Sequence, residues 1–184
     1  LASLETDPAR PLQTLVLTGV IPPALEDRWT MEERNLLLHD GIATFMVQAG
    51  DVVAIERQVT MYQTNRWGMP DPSYLDVNTP ATLGYIRYAT RARILQKYPR
   101  HKLASDGTRY GAGQAIVTPS VIRGELLALY RELEEAGIVE NFDQYKADLI
   151  VERNANDRNR VDVLAPPDLV NQFRIFAMKT MYVL

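Results

Sequence analysis

The sequence predicts an α+β fold: a single mixed sheet built from hairpins, packed against two long helices, with extended N- and C-terminal arms. Three observations carry this. Apolar residues recur at helical spacing in two stripes, Leu83-Ile86-Ala89-Ala92-Leu95 and Ile122-Leu126-Leu129-Leu133. Two pairs of strand-like runs are joined by turn residues. An apolar share of 46% beside 23% charged residues fits a packed core and argues against global disorder. At 184 residues, against about 150 per domain, one domain is expected. It is placed at 15–168, between an arm or linker at 1–14 and a terminal strand at 169–184.

Pro8 and Pro11 leave the first stretch without periodicity, and 15–17 reads as a short strand before Gly19 and Pro22-Pro23. Thr30 followed by Glu33 is a capping box that opens a helix to about His39, stopped by Gly41. Runs 43–48 and 52–62 form a hairpin around Ala49-Gly50-Asp51. A loop follows over 64–78. Asn78 or Thr79, with Pro80 in the first turn, starts a long helix that Pro99 ends. Thr118-Pro119 opens the second long helix, and Gly137 closes it with Ile138 as the apolar contact. A short helix at 141–146 leads to a second hairpin, 149–153 with 161–165. After Pro166-Pro167 comes a last extended run, 173–184.

Composition removes several chemistries. Without cysteine there is no disulfide, thiolate metal site or cysteine nucleophile. His39 and His101 stand in no metal spacing, and no GxSxG elbow exists. No run approaches the roughly 20 apolar residues of a membrane span, and no signal-peptide pattern is visible. Leu1 in place of Met reads as a piece excised from something longer. The glycine-rich loop 106–114 lacks the Gly-Lys-Ser/Thr of a phosphate loop, so a turn is favoured over a phosphate cradle. Asn154, Asn156, Asp157 and Asn159 resemble a cation loop in composition but lack the ordered carboxylates of one. No catalytic residue, cofactor or metal site is expected.

The net charge of −3 hides a segregation. Residues 87–109 carry seven bases and one acid, and 125–148 carry seven acids and two bases. Arg87 with Arg91, and Arg93 with Lys97, are like-charge i,i+4 pairs, each costing an isolated helix about 0.2–0.5 kcal/mol. That repulsion favours an acidic partner surface for Arg87, Arg91, Arg93 and Lys97. Glu132, Glu134 and Glu135 offer the reciprocal patch on an identical neighbour. A nucleic-acid-binding module using the basic helix 79–98 is the alternative, disfavoured by the acidic helix of the same small domain.

Run 173–184 carries large apolar groups on both alternating faces. Burying Phe173, Ile175, Phe176, Met178, Met181, Val183 and Leu184 stabilises by roughly 10–20 kcal/mol at about 1.5–3 kcal/mol each. Ordering the twelve backbones costs roughly 12–24 kcal/mol. Burial alone breaks even, so the strand also needs a sheet edge, in its own domain or in a neighbour's. Left free, it is an aggregation hazard.

Several segments together resemble a known family. They include Asp7-Pro8-Ala9-Arg10-Pro11, Gln63-Thr64-Asn65, Ser73-Tyr74-Leu75-Asp76-Val77 and Lys97-Tyr98-Pro99-Arg100-His101. Gly113-Gln114-Ala115-Ile116-Val117-Thr118-Pro119, Val151-Glu152-Arg153 and Pro166-Pro167-Asp168-Leu169-Val170-Asn171-Gln172 complete the set. In consistent order these look like the C-terminal part of a Mu-like bacteriophage contractile tail sheath protein, without its large N-terminal portion. The resemblance implies a non-enzymatic subunit that assembles with other sheath subunits into a helical tube. That tube surrounds an inner tail tube protein, meets baseplate and tail terminator proteins, and contracts to drive the tube into the host envelope. It also implies terminal arms that exchange strands between neighbours, a place in the virion tail and assembly in the bacterial cytoplasm. No specific nucleic acid and no membrane insertion are implied.

Overall fold

The computed structural model describes Leu4 and residues 6–182. Contacts divide the chain into two compact units, Leu1–Ala81 with Asn171–Leu184, and Thr82–Val170. The α+β class holds. The single sheet does not: the described strands form four separate two-stranded ladders.

In the first unit, helix α1 (Met31–His39) starts at the expected capping box. The Thr30 amide donates to Glu33 Oε2 at 2.7 Å and the Glu33 amide to Thr30 Oγ1 at 3.3 Å. Gly41 ends the turn at φ +76°, where an added Cβ would lie 3.1 Å from the Thr60 carbonyl and the Met61 Cα. No other residue combines that conformation with that space. Strands β1 (Thr44–Gln48) and β2 (Val52–Arg57) form the expected hairpin, and Val53, Ala54 and Ile55 are buried.

The stretch set apart as an N-terminal arm belongs to this unit, because its backbone completes the other edge of β2. The Thr14 and Leu17 amides donate to the Ile55 and Val53 carbonyls, both at 2.8 Å, and the Ile55 amide returns to Leu15. Leu12 is buried, and Asn78 Nδ2 donates to the carbonyls of Pro8 and Arg10 at 2.8 and 2.7 Å. These bonds run backbone to backbone or from one amide, so no side-chain pattern announces them.

Helix α2 (Asn78–Lys97) leaves this unit and enters the second. There β3 (Lys102–Leu103) pairs in parallel with β4 (Ile116–Val117). Helix α3 (Pro119–Glu135) follows, with Thr118 Oγ1 accepting from the Val121 amide as N-cap. Its stripe Ile122, Leu126, Leu129 and Leu133 is buried as expected, joined by Tyr130. The Ile138 amide donates to Leu133 and the Gly137 amide to Glu134, both at 2.9 Å, with Gly137 at φ +71°. That is the Schellman closure.

Beyond it come β5 (Val139–Glu140), α4 (Phe142–Asp148), β6 (Ile150–Arg153), β7 (Val161–Leu164) and β8 (Asp168–Leu169). Strand β6 pairs antiparallel with β7, and β5 with β8. The terminal segment expected from residue 169 therefore leaves the second unit only after Val170, whose amide still donates to Ile138. Tyr130 gathers this end of the unit. Its Oη donates to the Glu140 carbonyl at 2.6 Å and accepts from the Asp168 amide at 3.2 Å. Its ring stacks on Tyr145 at 3.7 Å, and burial pushes the Tyr145 phenol up to about 12.

Asn78→Ala strands two carbonyls that the Asn78 amide now satisfies. It is expected to lower stability by about 1–3 kcal/mol and to open the chain after the buried Leu12 to chymotrypsin. Unfolding by denaturant and a timed digest measure the two effects.

Candidate assembly interface

Three features of the surface bear on function: the terminal segment, the charged faces of α2 and α3, and an apolar groove in the second unit. Residues 173–182 adopt no strand and make no backbone–backbone hydrogen bond among the described residues. Phe173, Ile175, Phe176, Met178, Met181 and Tyr182 are 74–82% exposed. Val183 and Leu184 lie outside the described residues. The sequence required a sheet edge for this run, and none of the described ladders supplies one.

The charged faces meet inside the second unit. Arg93 donates to Glu125 at 3.1 Å and to Glu132, while Lys97 lies 2.8 Å from Glu125. Glu125 is held below its ordinary value by Lys97 and then Arg93, and this outweighs the opposing effect of burial. Arg93 is raised, first by its bond to Glu132. The acids missing from the basic helix are therefore supplied by its neighbour in the chain, which takes Arg93, Lys97 and Glu132 out of the unpaired set. Arg87 and Arg91 carry no ion pair among the described residues, and Glu135 has none either. Glu134 accepts from the Phe142 amide at 3.2 Å.

The groove has a volume of about 480 Å³. Leu83, Ile86, Thr90 and Ile94 of α2 form one wall, and Leu126, Leu129 and Leu133 of α3 another. Val163 of β7, Ala165 and Pro167 close a third side, and Arg87 and Arg91 line the groove as well. The apolar stripe expected on α2 holds except at its last member: Leu83 and Ile86 line the groove, and Ala89 and Ala92 line a second hollow with Leu129 and Leu133. Leu95 is 60% exposed, and Ile94 takes its place. Among the described residues strand β7 pairs only with β6, so its other edge is open, and Val163 and Leu164 are exposed.

The weaker candidates resolve into structure. The Asp106 carboxylate accepts from the Ser120 amide at 3.1 Å and hydroxyl at 2.6 Å, at the start of α3 where a phosphate would have to sit. Gly107 and Gly113 in that loop have positive φ, as a turn requires. Asn154 Oδ1 accepts from the Asn156 and Asp157 amides, both at 2.8 Å, and Asp157 Oδ1 from Asn159. These polar groups build the β6–β7 turn. Among the described residues no helix is long and apolar enough to cross a membrane.

Residues 69–182 match the phage tail sheath C-terminal domain, and residues 2–61 match the phage tail sheath protein central domain. The chain belongs to the phage tail sheath family. It is 56% identical over 182 residues to the Mu-like prophage FluMu tail sheath protein of Haemophilus influenzae, covering 99% of this chain and 37% of that one. The chain thus spans little more than a third of that relative. Sheath tail proteins of Listeria innocua and Desulfitobacterium hafniense share the fold, with TM-scores of 0.68 and 0.63 at 19% and 15% identity. They are matched over 89% and 90% of this chain and 36% and 34% of theirs. A chain of the anti-feeding prophage baseplate matches 99% of this sheath chain and 48% of its own, with a TM-score of 0.65 at 9% identity.

Glu125→Gln keeps the shape and removes the charge that joins α2 to α3. A carboxylate lowered in the folded state stabilises above its unfolded value and loses that contribution as pH falls through the folded one. The substitution is expected to cost about 1–2 kcal/mol at pH 7. The gap to the wild type should close as pH drops below the ordinary carboxylate range, as read by thermal unfolding at a series of pH values.

Proposed function

We propose that this chain is the lattice-forming part of a contractile tail sheath subunit, without enzymatic activity. It assembles with other copies of the sheath subunit into a helical tube around an inner tail tube protein. Baseplate and tail terminator proteins hold the two ends. Assembly takes place in the bacterial cytoplasm and the product is the virion tail. Contraction draws its work from new contacts between subunits.

The observation that carries this reading is the terminal segment, ten described residues with six large apolar groups in water and no ladder bond. A monomer gains nothing from such a segment, whereas a lattice uses it as a strand handed to a neighbour. The open edge of β7 is the matching acceptor. A strand added there gains ladder bonds and lays one face over the apolar groove beside Val163. Phe173, Ile175, Phe176, Met178, Met181, Val183 and Leu184 are the proposed intersubunit strand. Arg87 and Arg91 remain for an acidic surface on the tube or a neighbouring sheath subunit. Glu134 and Glu135 form the reciprocal acidic face, with Glu132 contributing what its bond to Arg93 leaves over.

The full-length protein is expected to form hollow tubes by electron microscopy. The same protein truncated after Gln172 should stay folded and form none. Val163→Lys, at a position 45% exposed, should also fold normally and fail to assemble, because it places a charge where the incoming strand must pack. Tubes from the truncated protein would remove the strand from the assembly. Unfolding of the truncated protein would place that strand in its own core.

A further inference from the structure

The terminal segment has a fixed base. Gln172 and Arg174 are half-buried, while every described residue from Ile175 onward is exposed. Arg174 Nη2 lies 2.7 Å from Asp76 Oδ1 and also donates to Gln172 Oε1. Asp76 is itself held in place. Arg57 reaches it at 3.2 Å, its backbone bridges to Val59, and the Val77 amide donates to the Gln58 carbonyl. The side chains of Arg174 and Asp76 are only 23% and 21% exposed. The pair therefore sits on a braced piece of the first unit, immediately before α2. Beyond it, eight described residues can reach at most about 29 Å.

We propose that Arg174, through Asp76, is the positioning residue that sets the register of the exchanged strand, whose free part begins at Ile175. The proposal rests on the strand-exchange reading above and adds what that reading lacks. Strand register is ordinarily fixed by an apolar face opposed to a polar one, because a slip of one residue turns every side chain over. Here Ile175, Phe176, Met178, Met181 and Tyr182 put large groups on both faces, so the pattern alone leaves the phase weakly specified. A base pinned at Arg174 supplies it from outside that free part. The pinned base also shrinks the volume that the free end must search, which lowers the ordering cost of docking.

Two measurements on the full-length protein test this. In the unassembled protein, trypsin is expected to cut after Lys179 up to about fivefold faster than after Arg174, the factor a half-buried ion pair controls. Asp76→Asn should bring the two rates together. In assembly, Arg174→Gln should raise the concentration needed for tubes by about five- to tenfold with an unchanged melting temperature, and Arg174→Lys should restore most of it. Equal cutting at the two sites in the wild type, or unchanged assembly of Arg174→Gln, overturns the proposal. The truncation after Gln172 is the separate control. If it assembles like the wild type, the strand-exchange reading fails, whatever trypsin shows at Arg174.

Discussion

A two-stranded ladder is marginal in water, and three strands or a packed helix are needed before a sheet holds itself together. Among its described residues this chain has nothing wider than two-stranded ladders. Each must be finished by something else, and the rest of the structure follows from what finishes it. The β1–β2 hairpin is completed by the backbone of residues 14–17. The short β5–β8 pair is held by the Tyr130 hydroxyl, which bonds both strands. The β6–β7 hairpin has α3 against β6, but the outer edge of β7 is left open. An open edge beside an apolar groove is the unfinished part of the fold, and the terminal segment is the unfinished part of the chain.

Charge shows the same economy. The blocks at 87–109 and 125–148 are each unfavourable alone, since like charges repel along one helix face. Bringing α2 beside α3 lets Glu125 answer both Arg93 and Lys97, at a carboxylate only 10% exposed. A paired charge inside the unit does not advertise a partner. What remains for one is smaller than the sequence suggested. Arg87 and Arg91, one turn apart on the lip of the groove, are the basic residues of the predicted patch that the second unit leaves unanswered.

What was legible in the sequence was local. The Thr30–Glu33 capping box, the Thr118-Pro119 start and the Gly137 closure are written within four or five residues, and each stands where it was read. The stripe on α3 was equally plain, because every member is a large aliphatic residue. Of the strand pairings, the two hairpins were legible from their turns, whereas β3–β4 and β5–β8 were not, because short runs distant in sequence carry no record of which run they meet. This turned four ladders into one expected sheet. The N-terminal stretch was missed for a related reason: Asn78 holds it through carbonyls, which every sequence has. The ion pairs of Arg93 and Lys97 were missed although both charge blocks were counted. The count does not say that the two helices face each other.

The composition of the terminal segment argues that its exposure is managed. An apolar extended run invites pairing with copies of itself, which is the route to aggregation. Arg174 and Lys179 stand five residues apart in that run with no acid between them. Two such segments laid side by side bring cations together, a cost that charged gatekeepers impose on self-pairing. The open strand β7 carries Asp162 instead, already in contact with Arg160 but still the sign that a basic strand meets favourably. The charges that disfavour a pair of donors are thus compatible with a donor on its acceptor. Specificity of this kind comes from the repulsion as much as from the attraction. In the proposed strand exchange it lets the chain keep an unsatisfied strand and an unsatisfied edge in solution together, each held for the other.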